Sequence, residues 1–127
     1  MDSAALELIY QSMQDYKQRI ESLTKESEIK LPVAIDNLEY DDEADEILMG
    51  TIPDALAIAK KEMDPSVNVP GGMAIASKQG SGWKVRDILE HDGKKLDQIS
   101  AAARYGPTVI LGSPFAEGVL VCDNVKY

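Results

Sequence analysis

Cysteine, large aromatic rings and positive charge are all scarce in this chain, and each scarcity removes a class of explanation. The 127 residues contain one cysteine, Cys122, so no disulfide can form within the chain. Cys122 and the single histidine, His91, are the only soft ligands, too few for a cysteine-based metal site within one chain. One Trp, one Phe and five Tyr leave the core to Ile, Leu, Val, Met and Ala. No apolar run approaches the roughly 20 residues of a membrane span. The start of the chain has an acid at Asp2 and no basic segment leading into an apolar one, so secretion is not expected. The expected location is the cytoplasm or the interior of a larger assembly. A net charge of −9 opposes binding to nucleic acid or to anionic lipid.

The negative charge is unevenly placed. Residues 1–66 hold 16 Asp and Glu against 6 Lys and Arg, whereas residues 67–127 hold 6 against 7. The acids peak at Asp36, Glu39, Asp41, Asp42, Glu43, Asp45 and Glu46, with no basic residue among them. A field of one sign steers a basic partner and repels acidic ones, but it does not create a fold. These residues are read as an acidic loop over 36–46 and as the candidate partner-binding element.

Periodicity supplies the fold class. Leu6, Ile9, Met13, Tyr16, Ile20 and Leu23 recur at spacings of 3, 4, 3, 4 and 3, which predicts an amphipathic helix over 4–27 with Asp2 or Ser3 as its cap. That seam either covers the domain's own sheet or pairs with a second copy, and it is the candidate oligomer interface. A short strand is expected within 29–35, limited by Pro32. A second helix is expected from Thr51-Ile-Pro-Asp54 to about Met63, capped by Thr51, with Ile52, Leu56, Ala59 and Met63 on one face. The C-terminal half, 72–127, reads as strand-rich. Residues 73–86 suggest a hairpin turning at Gln79-Gly-Ser-Gly82, with Met73, Ile75, Trp83 and Val85 on one face and Lys78, Lys84 and Arg86 on the other. Residues 83–91 suit either a strand or a helical turn. Leu96, Ile99, Ala102 and Ala103 suggest a helix over 94–104, stopped by Gly106-Pro107. Thr108–Leu111 and Val119–Cys122 read as short strands covered on both faces. The sum is a single α+β domain: about three helices on a small mixed or antiparallel sheet of roughly five short strands.

Chemical motifs are weak. An EF-hand loop begun at Asp41 would need glycine where Glu46 stands and glutamate where Ile52 stands. Ser113 lacks the flanking glycines of a nucleophile elbow, and the glycines at 71, 72, 80, 82 and 93 match no phosphate-binding fingerprint. Cys122 sits in an apolar run, where a thiol is inert. His91 lies beside Glu90 and Asp92, but sequence neighbours rarely face each other. No catalytic residue, metal or cofactor is therefore expected. The basic charge that exists collects at Lys78, Lys84, Arg86, Lys94 and Lys95, a counterpart to the acidic half.

The expected function is a non-catalytic interaction or assembly protein, oligomeric with itself, such as a subunit of a phage or cellular particle. The alternatives are an acidic inhibitor or immunity-type protein gripping a basic surface through 36–46, and a small-ligand protein or enzyme with an anion site at Arg86, His91 and Arg104.

Overall fold

A computed structural model describes residues 3–127, which fall into two compact units, one ending at Lys30 and the other running from Leu31 to Tyr127. The first unit is built on helix α1, Ser3–Glu21. Asp2, one of the two expected caps, lies outside the described residues, and Ser3 is already helical. The helix stops six residues short of the expected 27. Its last turn tightens, with Leu23 N–H donating to the Ile20 carbonyl at 3.1 Å. The Ser22 hydroxyl donates to the Arg19 carbonyl at 2.8 Å, a local bond that competes with helix continuation.

The second unit holds seven strands and one helix: β1 (Ala34–Asp41), β2 (Glu46–Ile52), α2 (Ala55–Met63), β3 (Gly71–Gln79), β4 (Gly82–His91), β5 (Ala101–Tyr105), β6 (Thr108–Gly112) and β7 (Leu120–Cys122). They form two antiparallel sheets, ordered β1-β2-β3-β4 and β5-β6-β7. The α+β class is as expected, but with two helices and seven strands among the described residues. The main core lies between the sheets, where Leu48, Met73 and Ile75 of the first meet Ala102, Val109 and Leu111 of the second.

Several expectations need correction. The acidic stretch is no loop: residues up to Asp41 form β1, and only 42–45 turn before β2. As an edge strand, β1 keeps its carboxylates in water, and charge there also discourages edge-to-edge pairing. The strand expected within 29–35 begins only at Ala34. Thr51 is buried in β2 instead of capping a helix. The cap is Asp54, whose carboxylate accepts the amides of Leu56 and Ala57 at 3.1 and 3.3 Å. The helix consequently buries Ala57 and leaves Leu56 and Met63 exposed.

The helix expected over 94–104 is absent. Asp97 accepts the Val69 amide at 2.7 Å, and Gln98 donates to the Val69 carbonyl at 3.0 Å from a left-handed backbone, φ 51°. These tertiary bonds outcompete a helix, yet Leu96, Ile99 and Ala102 are buried as their spacing suggests. Gly106-Pro107 is a two-residue hairpin turn between β5 and β6, with Gly106 at φ 55°. Glycine followed by proline suits the II′ pattern, which needs a left-handed first residue.

The β3–β4 hairpin forms as expected, and 83–91 is strand throughout. Its faces differ from the expected alternation, because Ile75 pairs with Arg86, Ala76 with Val85 and Lys78 with Trp83. Directly paired residues share a face, so Trp83 and Val85 lie opposite Ile75. The C-terminal strands are covered on one face only, since Ile110, Val119 and Val121 are exposed.

Where the sheets approach, backbone space is the constraint. A Cβ at Gly50 would stand 2.6 Å from the carbonyl carbon and oxygen of Ser100. Gly50→Ala is expected to cost about 3 kcal/mol, read as a drop in the thermal unfolding midpoint. An unchanged midpoint would refute this close packing.

Candidate functional site

The hairpin joining β1 to β2 sets the site's geometry. Asp41 and Glu46 face each other across the ladder, and two carboxylates in that position repel. Arg104, on β5, resolves the conflict. Its Nε donates to Asp41 Oδ2 at 2.6 Å and its Nη2 to Glu46 Oε2 at 2.6 Å. Arg86, on β4, donates to the other Glu46 oxygen at 2.7 Å. The Arg104 side chain is 9% exposed, Glu46 14% and Asp41 20%, so water screens the network only partly. Tyr127 places its ring 4.8 Å from the Arg104 guanidinium and donates its hydroxyl to the Gly106 carbonyl at 3.0 Å.

The turn itself is braced by Asp41, whose Oδ1 accepts the amides of Glu43 and Ala44, each at 3.1 Å. Tyr40 donates its hydroxyl to Asp45 Oδ1 at 2.6 Å. That bond and the surrounding carboxylates raise the Tyr40 phenol above its ordinary range. Burial raises the Tyr127 phenol. The Asp41 carboxyl moves the other way, held below its ordinary value of 3.8 by the Arg104 hydrogen bond and then by the Ala44 amide.

The sign of the pH dependence follows. A native carboxyl with a depressed pKa contributes stability above its unfolded value of 3.8, and loses it as pH falls through the native value. Arg104 stays charged throughout. Acid unfolding below about pH 4 should therefore be less steep in Asp41→Asn than in the parent. Identical acid profiles by circular dichroism would contradict this role for Asp41.

Between the β1–β2 and β5–β6 hairpins lies a cleft of about 620 Å³, lined by Glu39, Asp41, Asp42, Glu43, Ala44 and Arg104 together with Tyr40, Tyr105 and Tyr127. Of the seven acids singled out in the sequence, four line this cleft. Asp45 holds Tyr40, Glu46 joins the two arginines, and Asp36 lies at the β1 bulge. At that bulge both the backbone and the side-chain nitrogen of Asn37 donate to the Ser100 carbonyl, at 2.9 and 3.0 Å, tying β1 to the start of β5.

The basic trio separates. Arg86 and Arg104 do converge, but on Glu46, so their charges are already engaged. His91 stands five residues along β4, roughly 16 Å away, and its Nδ1 accepts the Gly93 amide at 3.0 Å. The role of Tyr127 escaped the sequence reading, because its ring meets Arg104 only once the chain has folded. A second ion pair, Lys61 with Asp97, pins the irregular segment after β4 to α2, with Lys61 also donating to the Val67 carbonyl at 3.0 Å.

The six apolar residues of the first unit's seam are 48–77% exposed, and no described residue of α1 is buried. Among the described residues no group of three His, Cys, Asp or Glu side chains is placed to hold a metal. Among them, too, no helix is long and apolar enough to cross a membrane. No protein-family model matches this sequence, and no curated protein matches it either.

Proposed function

We propose that this chain is a non-catalytic interaction protein that associates with itself through the Leu6–Leu23 seam, as a building block of a larger cytoplasmic assembly. The exposed seam carries the reading. Most helical stability in proteins comes from packing an amphipathic face, and the apolar stripe of the 19-residue α1 gains that stability only when something covers it. A second copy supplies an identical stripe with matching 3–4 spacing. Cysteine cross-linking tests it in a Cys122→Ser background. Met13→Cys, within the seam, should link copies readily, whereas Gln18→Cys, outside it, should not. Equal yields at both positions would contradict the proposal.

A second reading is favoured by the cleft. Glu39, Asp42 and Glu43, beside an Asp41 already bound to Arg104, would attract a cationic side chain, as an inhibitor of a basic protein would. Replacing Asp42 and Glu43 by Asn and Gln should abolish that contact and leave self-association through α1 intact.

A further inference from the structure

Basic side chains stand on the same chain outside the acidic cleft. The β3–β4 hairpin ends in a two-residue turn, Gly80-Ser81, and carries Lys78 and Lys84 just behind it. Lys78 lies 5.9 Å from the Trp83 ring, and among the described residues neither lysine joins an ion pair. This tip and the cleft stand at the same end of the first sheet, since Glu46 pairs with Ser77 and Ser77 with Lys84. They are nevertheless separated within one copy. Lys78 on β3 stands two strand spacings from β1, about 10 Å, and Lys84 on β4 three, about 14 Å, and among the described residues neither pairs with a carboxylate of the cleft.

We propose that the β3–β4 hairpin tip of one copy docks in the acidic cleft of a second copy. The cleft sets Glu39, Asp42 and Glu43 around a concavity whose one cation, Arg104, is already bound to Asp41 and Glu46. A lysine-bearing hairpin complements it in charge. Because donor tip and acceptor cleft share one end of the sheet, a two-fold rotation makes the contact twice, once in each direction. Exposed ion pairs are individually weak, so this contact orients copies already held together. Tethering by α1 raises the effective concentration of one tip near the other cleft to the millimolar range. The inference thus rests on association through α1.

The test uses full chains in a Cys122→Ser background, one carrying Ser81→Cys at the tip and the other Ala44→Cys at the cleft. Disulfide cross-linking between them should proceed in the parent pair. It should fall about tenfold when Lys78→Glu and Lys84→Glu are added to the first chain, or Asp42→Lys and Glu43→Lys to the second. Pairing the two reversed chains should restore it, which also shows that both still fold. Yields that ignore the reversals, or that the reversed pair does not restore, overturn the inference. A parent chain that is monomeric by mass removes both this contact and the seam reading. An oligomer whose cross-linking is indifferent to the reversals removes this contact alone.

Discussion

If copies associate through the α1 seam as proposed, replacing Ile9 and Ile20 together by Asp should leave only monomers. Each isoleucine contributes about 1.5 kcal/mol or more when its side chain leaves water. Two per chain in a pair of chains amount to roughly 6 kcal/mol, about a 10⁴-fold loss of association. The unit from Leu31 to Tyr127 has its own core and should melt as before, reported by Trp83, the one tryptophan. Asp substitutions at Gln11 and Gln18, outside the seam, should leave the mass unchanged. Dissociation by the outer pair as readily as by the seam pair would refute the assigned face.

The second large effect is expected at Arg104. Removing its side chain by Arg104→Ala leaves Asp41 and Glu46 facing each other with no cation between them, although Arg86 still binds one Glu46 oxygen. It also leaves the ring of Tyr127 without its guanidinium. Breaking a largely buried pair costs about 3 kcal/mol or more, which partial exposure of the carboxylates reduces to about 2 kcal/mol. For a unit running from Leu31 to Tyr127 this lowers the unfolding midpoint by roughly 10 °C. Arg104→Lys should recover only part, because an ammonium cannot bridge two carboxylates as a planar fork does. Replacing all three members, with Asp41→Asn, Glu46→Gln and Arg104→Met, should restore much of the loss, since no charge is then left unpaired. A midpoint unmoved by Arg104→Ala would show that the network contributes nothing to stability.

What the sequence disclosed, and what it concealed, divides along local against tertiary causes. The α1 stripe, the Gly80-Ser81 hairpin and the end of α2 at Asp64 were legible because short-range periodicity and turn chemistry decide them. The 94–104 segment was misread for an instructive reason. Leu96, Ile99 and Ala102 share a helical spacing, but they reach the core from an irregular segment and a strand, held there by bonds to Val69. Nothing near residue 97 announces that partner. The acidic strand was concealed because its alternation is written in carboxylates, which an edge strand tolerates and an interior strand would not. Arg104 was singled out, yet for an anion site. Its true neighbours, Asp41 and Glu46, lie about 60 positions away and meet it only when the sheets pack. Separation along the chain likewise hid the Tyr127 ring that lies against Arg104.

The central claim, association through a helical apolar stripe with charge only orienting the copies, is tested most directly by the solution mass of the intact chain. The measurement is a dilution series run at low salt and again at about 1 M, where the screening length falls to about 3 Å. The account predicts a multiple of the 13.9 kDa chain mass at both salt concentrations. A 13.9 kDa species at every concentration, or an oligomer that salt alone dissolves, would contradict it.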